Sequence, residues 1–382
     1  MKKIYVATKA RGFLVNLFDS NLKDYQFLYD SNQIFETNST LKQYISKLVK
    51  SKLADWLGVI QRLKVDDKYV DIAFSYNRFL KTSQKYVVYL ENPLALVHYS
   101  IDRNKYLISR LKLNKFLNDT NLKAIVCLSK ACYDTLNHFY SIPEHIKVEQ
   151  IYPLVHSNSL TSEESIKKKS RKKEIICLYI SSNYNLKGGK DILETFKKLN
   201  KNGINNIKLK IITQLSSIDQ KTKKEINNNP NISLYDFKFS KEELNVFYNE
   251  SSILLNPSRQ DSFSLVVLEA MKSGNTILST DLYAIPEMVV NGFNGYLISP
   301  KYRFFNYDNL PNKEVWNNRE NTIHSDYIDE NIVNFLYDKI SYLNLNRDKL
   351  EEMSLNSFNK ANNGDFNEEI IKNKWINLFD NI

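Results

Sequence analysis

Short apolar runs of five to seven residues recur along most of this chain, and segments with helical periodicity separate them. The first half supplies "KKIYVA" (2–7), "YVDIAF" (69–74), "KYVVYLE" (85–91), "LKAIVCL" (122–128) and "IKVEQIY" (146–152). The second half restarts with "EIICLYI" (174–180). It continues through "IKLKIIT" (207–213), "NISLY" (231–235), "SSILLNP" (251–257), "NTILST" (275–280) and "GYLIS" (295–299). Near-continuous apolar strands of this kind are buried on both faces, and their alternation with helices is the pattern of parallel sheets covered by helices. The spacing predicts a long helix from Thr40 to about Leu63. It also predicts a helix opening at "SKEELNVFYNE", where Ser240 and Glu243 stand at capping-box spacing, and helices from about Asp329 to the end.

With 382 residues, the chain is longer than one hydrophobic core usually serves, which predicts two α/β domains. The expected division is 1–155, a polar linker over 156–173, a second domain over 174–360 and a C-terminal helix over 361–382 crossing back to the first. The linker, "HSNSLTSEESIKKKSRKK", lacks apolar periodicity and ends in a basic cluster of Lys167, Lys168, Lys169, Arg171, Lys172 and Lys173, read as a solvated connector. Apolar residues make up 42% and aromatic residues 12% of the chain, ample for burial, and only 9 Gly and 8 Pro argue against a loop-rich fold.

No run approaches the roughly 18 to 20 consecutive apolar residues of a membrane span, and the start is too short in its apolar part for a signal peptide. The expectation is a cytoplasmic protein. Cys127, Cys132 and Cys177 have no CxxC spacing and read as buried free thiols. The formal charge of +10 admits nucleic acid, an anionic membrane surface or a phosphorylated substrate as partner, or lysines that simply cover the surface. No RNA-binding aromatic signature or zinc-finger spacing supports nucleic acid.

The chemistry concentrates in "RQDSFSLVVLEAMKSGN" (259–275). Here a strand ends at Pro257, a helix begins near Ser262 to Ser264, and Gly274 closes it. The first N–H groups of that helix, at Ser264, Leu265 and Val266, have no intrahelical partner and suit a phosphate. Glu269 lies in an otherwise apolar helix, within about 40° of Leu265 on the cylinder, so it can face the same ligand and accept hydrogen bonds from a vicinal diol. Spacing alone leaves a plainer alternative: Asp261 as a cap and Glu269 as a buried partner of a Lys or an N–H.

The segment "NPSRQDSFSLVVLEAMKSGNTILSTDLYAIPEMVVNGFNGYLISP" (256–300) resembles the signature block of the retaining glycosyltransferases of family 4, which have the GT-B fold. Two acidic residues separated by seven, a helix with Glu-Ala-Met, an "IPE" turn and a G-x-x-G segment follow in that order. Weaker resemblance reaches upstream through "ISSNYNLKGGKDILETFKKL" (180–199) to about residue 120. The resemblance implies two Rossmann-like domains facing each other across a cleft, and transfer of a sugar from a nucleoside diphosphate sugar to an acceptor hydroxyl with retention. It also implies that Glu269 binds ribose hydroxyls, that Asp261 lies by the transferred sugar, and that Lys187 with the Ser264 and Leu265 amides contacts the diphosphate.

The departures matter. Asp261 replaces a Glu, Ser264 a Gly, Ser182 an arginine five positions before the lysine, and Glu91 a histidine near the reacting sugar. Arg259 or another basic residue is expected to compensate for that arginine. The N-terminal Gly-rich loop is reduced to "TKARGF", in which Arg11 and Gly12 can reach a phosphate, while Glu91 either assists the acceptor or is a strand-end carboxylate held by N–H groups. His98 and His156 read as packing or surface residues. No Asp-x-Asp motif occurs, so a metal-independent enzyme without a cofactor is expected, the nucleotide sugar being a co-substrate. The expected acceptor is a glycan, a lipid-linked glycan or a protein in bacterial surface or extracellular glycan synthesis, with a possible peripheral site on an anionic membrane. The rivals are a catalytically silent partner subunit and a sugar-nucleotide epimerase or phosphorylase of the same fold.

Overall fold

The protein is described by a computed structural model covering residues 1–9, 11–29, 49, 51–65 and 70–382. It separates into two compact units, Met1–Val155 with Glu368–Ile382, and His156–Asn367.

The first unit is built on a six-stranded parallel sheet. Its strands are β1 (Lys2–Val6), β2 (Tyr25–Leu28), β4 (Ile72–Tyr76), β6 (Tyr86–Leu90), β7 (Leu122–Cys127) and β8 (Lys147–Gln150), in spatial order β2-β1-β4-β6-β7-β8. A separate parallel pair joins β3 (Arg62–Lys64) to β5 (Phe79–Lys81). Every residue of β4 and β6 is buried, as expected of strands covered on both faces. Of the helix expected from Thr40 to Leu63, residues 40–48 and 50 lie outside the described residues, as does Tyr69 of the expected strand 69–74. The described part holds a short helix, Lys52–Trp56, and Leu63 belongs to β3 instead. Gly58, at a φ of 62°, ends the helical path between them.

The last helix, Glu368–Asp380, packs in this same unit. Trp375, 1% exposed, stacks on Phe379 with centroids 5.5 Å apart and meets Tyr89 edge-on at 5.2 Å and Phe74 at 5.8 Å. Tyr25 donates its hydroxyl to Asp380 at 2.5 Å. A chain separation of more than 350 residues is thus closed by this hydrogen bond and by the Tyr25–Phe379 ring contact.

The second unit carries β9 (Ile175–Ser181), β10 (Ile207–Thr213), β11 (Ile232–Asp236), β12 (Ile253–Asn256), β13 (Thr276–Thr280) and β14 (Gly295–Ile298). All pair in parallel, in the order β11-β10-β9-β12-β13-β14. The strand order therefore reverses direction between β9 and β12, and in open parallel sheets ligands bind beyond the carboxyl ends of the strands at this reversal.

The stretch 156–173 differs from the expected connector. Glu163–Ser170 is a helix with a capping box between Ser162 and Ser165, and it buries Ile166, Lys169 and Ser170. Lys169 is no solvated lysine: its ammonium donates to the Ser273 carbonyl and to Asn275 Oδ1, both at 2.7 Å. Burial lowers its pKa well below the ordinary lysine value, with further repulsion from Lys172. The lysine satisfies a carbonyl at the carboxyl end of the helix Leu265–Lys272, where a cation also suits the helix dipole. The capping box at Ser240 and Glu243 opens the helix Lys241–Glu250.

Removing the Trp375 ring leaves a cavity among Phe74, Tyr89 and Phe379. Trp375→Ala should lower the stability of the first unit by about 3–5 kcal/mol, read as a lowered denaturant midpoint, whereas a loss below about 1 kcal/mol would show that the helix is not part of this core.

Candidate functional site

At the reversal in the second sheet, two turns come together. After β9, the chain runs through Lys187 and Gly188 into the helix Gly189–Lys201. Gly188 has a φ of 75°, and a Cβ built there would sit 2.3 Å from the Pro257 carbonyl oxygen, so only glycine permits this approach to the end of β12. Lys187 then reaches the second turn, donating to the Gln260 carbonyl at 2.6 Å and to Asp261 Oδ2 at 2.8 Å. The pair is partly open to solvent, with the Lys187 side chain 27% and the Asp261 side chain 12% exposed.

Beyond Asp261 the helix begins at Leu265, just past the Ser262 to Ser264 start that the sequence suggested, because Ser264 is its left-handed N-cap at φ 63°, ψ 74°. A residue other than glycine in this region is strained by roughly 1 kcal/mol. Asn256, at the end of β12, accepts the Ser264 hydroxyl at 3.3 Å and donates to the Ser279 hydroxyl at 2.9 Å, tying the cap to two strand ends. Leu265 and Val266 stay partly exposed, while Val267, Leu268, Ala270 and Met271 are buried.

Glu269 lies one turn beyond Leu265 and is half-buried. Its Oε2 accepts the Tyr248 hydroxyl at 2.6 Å, from the helix Lys241–Glu250. Burial raises the Glu269 pKa above the ordinary glutamate value, a rise opposed by the Tyr248 hydrogen bond and the Lys241 charge. Tyr248 was not singled out from the sequence; a tyrosine on the buried side of an amphipathic helix gives no sign that its hydroxyl serves a carboxylate.

Arg259 does not stand where the sequence suggested. It is 2% exposed, and its guanidinium donates to Asp191 Oδ2 at 3.1 Å and to the Tyr327 carbonyl at 2.7 Å. Asp191 also accepts the Asp329 amide at 2.8 Å. A buried carboxylate and guanidinium neutralise one another, so this arginine is held in the framework.

The remaining candidates belong to the first unit. Arg11 precedes the helix Gly12–Phe18, and its guanidinium lies 5.6 Å from the Tyr76 ring centroid. Glu91 follows β6 and accepts hydroxyl hydrogen bonds from Tyr76 and from Tyr99, the latter at 3.3 Å, and its own amide donates to Asn77 Oδ1 at 3.0 Å. Two phenols thus hold the carboxylate. Burial first, then Glu91, hold the Tyr76 phenol well above its ordinary pKa, so it remains a donor. Burial opposes the Arg11 charge, and Glu91, Tyr76 and Tyr99 outweigh it. A cavity of about 390 Å³ opens beside these groups, lined by Lys9, Arg11, Arg78, Tyr76, Asn77 and Tyr99 among others. Asn77 and Tyr99 both have left-handed backbones, at φ 61° and 60°. Local strain of this kind collects at functional sites.

Residues 161–303 match the profile of a known family, described as "Glycosyl transferases group 1". An uncharacterized 41.2 kDa protein in the cps region of Klebsiella pneumoniae is 27% identical over 158 residues, 40% of this chain and 42% of the relative's length. The chain therefore matches less than half of that relative. Among solved structures, Anabaena HepE in complex with UDP and glucose superposes with a TM-score of 0.61 at 14% identity, covering 100% of both chains. WaaG, described as a glycosyltransferase involved in lipopolysaccharide biosynthesis, superposes at 0.55 with 11% identity over 99% of both. The fold is the mixed α/β, parallel-sheet GT-B fold shared with these structures.

The raised pKa of Glu269 has a definite sign. A carboxyl that binds its proton more tightly in the folded state opposes folding once ionised, so stability is lost as pH rises through the unfolded and then the folded pKa. Glu269→Gln should therefore match the parent melting temperature at acidic pH, below both values, and exceed it at neutral pH. A variant that melts lower than the parent only at neutral pH would mean that Tyr248 and Lys241 outweigh burial.

Proposed function

We propose that this chain is a retaining glycosyltransferase, moving a sugar from a nucleoside diphosphate sugar to an acceptor hydroxyl in bacterial surface or extracellular glycan synthesis. The observation that carries the reading is the meeting of Lys187, Asp261 and the start of the helix Leu265–Lys272 at the strand-order reversal between β9 and β12. That is where an open parallel sheet receives a nucleotide. The family match over 161–303, the UDP and glucose named for the Anabaena structure, and the glycan settings named for WaaG and the Klebsiella relative support the same reading.

In this reading the second unit holds the donor. The half-buried Glu269 carboxylate, oriented by Tyr248, accepts hydrogen bonds from the ribose diol. Lys187 and the free N–H groups of Ser264, Leu265 and Val266 meet the diphosphate. A phosphate arriving at Lys187 competes with Asp261 for the ammonium and frees that carboxylate for the hydroxyls of the transferred sugar. As the glycosidic bond breaks, negative charge grows on the departing diphosphate. Lys187 and the helix start then stabilise the transition state more than the ground state. The departing phosphate oxygen takes the proton of the incoming hydroxyl on the same face, so neither a carboxylate nucleophile nor a metal is required.

The first unit takes the acceptor. Lys9, Arg11 and Arg78 around its cavity suit an acceptor bearing a phosphate or carboxylate, and Glu91, fixed by two phenols, orients an acceptor hydroxyl. Arg259 has no part in binding the donor.

Product analysis tests the proposal. Offered UDP-, GDP- and ADP-sugars of α configuration with lipid-linked acceptors, the protein should consume one donor class and yield an α-linked product by proton NMR. A β-linked product would refute retention, and no consumption of any donor would refute transfer.

A further inference from the structure

From Ser299 to Asp329, between β14 and the helix Glu330–Leu345, the chain crosses the carboxyl edge of the second sheet. It is tied to the strand ends in turn. Arg303 donates to Asp281 just after β13, Arg259 in the turn after β12 donates to the Ser325 and Tyr327 carbonyls, and Lys190 at the start of the helix Gly189–Lys201 pairs with Asp326. The segment therefore lies along the edge where such a sheet receives ligands.

Its first part is a tight hairpin. Phe305 and Pro311 bridge in antiparallel fashion, the Asn306 amide donates to the Leu310 carbonyl at 2.8 Å, and the Asn312 amide donates to the Phe304 carbonyl at 3.1 Å. Phe304 stacks on Trp316 with centroids 4.2 Å apart, and the Phe305 ring lies 4.3 Å from that of Tyr283, so the base of the hairpin is buried. Tyr307, on the loop that this base carries, is 77% exposed, more than any other aromatic side chain among the described residues. The ring is nevertheless fixed. Its hydroxyl shares a hydrogen bond with the Ser299 hydroxyl at 3.0 Å, and the Arg303 guanidinium packs over it at 3.9 Å from the centroid. Arg303 is held in turn by Asp281 and by donation to Ser299 Oγ at 2.9 Å. The guanidinium covers one face of the ring, and at this exposure the other face is open.

A fixed ring with one bare face beside a partly exposed carboxylate has the chemistry that recognises a sugar. The C–H face of a pyranose packs on the ring and both give up contact with water, while the hydroxyls around its rim donate to the carboxylate. Asp281 accepts from Ser299 at 2.8 Å and from Arg303, which leaves acceptor capacity on its two oxygens, and its side chain is 21% exposed. Charge favours a neutral ring over an anionic one. Asp281 neutralises Arg303, and the exposed Asp308, next to Tyr307, repels a phosphate or a carboxylate.

We propose that Tyr307, Asp281 and Ser299 form a subsite for a neutral sugar ring of a glycan chain. These groups follow β13 and β14 or stand on the hairpin, whereas Lys187 and Asp261 follow β9 and β12, so this is a second sugar position. The choice of glycans rests on the glycan-synthesis reading, but binding is measured without nucleotide and so succeeds or fails apart from donor binding. The full-length protein is titrated with maltotriose, cellotriose, galactotriose and triacetylchitotriose, followed by saturation-transfer NMR. At least one trisaccharide should bind, with saturation strongest on the C–H protons of one ring face. Tyr307→Ala should weaken that binding about tenfold, and Tyr307→Phe, which keeps the ring, should stay within about threefold of the parent. Both variants should keep the parental melting temperature, because the side chain is exposed. No binding of any trisaccharide would overturn the proposal. So would equal binding by the parent and Tyr307→Ala, or a dimer in gel filtration that Tyr307→Ala dissociates, which would assign the ring to a second copy of the chain.

Discussion

The approach of Gly188 to the Pro257 carbonyl governs the second unit's ligand side. Without a side chain at residue 188, the turn after β9 lies against the end of β12, and Lys187 on one turn reaches Asp261 on the other. Any larger residue would drive the turns apart and separate the cation from the helix start it accompanies. The strand-order reversal places the two turns side by side, and this contact sets how closely they approach.

Around that contact the ionic groups divide by burial. Arg259 and Asp191 neutralise each other in the interior and anchor the Asp329 backbone, which makes them framework. Lys187 and Asp261 are paired but partly open to solvent, so a ligand can exchange for either partner. Glu269 lies between these extremes, with one hydrogen bond from Tyr248 and remaining acceptor capacity. In the first unit Glu91 is similarly held by Tyr76 and Tyr99, beside a cavity whose wall is cationic.

Much of this was legible in the sequence, and for physical reasons. Strands buried on both faces announce themselves as apolar runs, and "KYVVYLE" and "EIICLYI" both mark central strands. The facing of Glu269 was readable because helix periodicity sets it within about 40° of Leu265, whereas Asp261 lies before the helix and only the resemblance pairs it with Glu269. What escaped notice depends on long-range packing. A basic stretch looks solvated, yet among its lysines and arginine Lys169 alone is buried, because carbonyls at Ser273 and Tyr248 await it across about 100 and 80 residues of chain. Arg259 beside the motif looked available, and only the fold brings Asp191 to it. Leu63 fell inside a helical pattern but pairs with Leu80 in a short strand, where tertiary contact overrides local periodicity.

Lys187, the helix start and Glu269 are proposed to bind a nucleoside diphosphate together. Titration calorimetry with UDP, GDP and ADP on the parent, Lys187→Ala and Glu269→Ala proteins tests it most directly. The parent should bind one nucleotide measurably and each variant should lose about tenfold or more in affinity, as expected when a hydrogen bond to a charged group is removed. Equal affinity in all three proteins would contradict it.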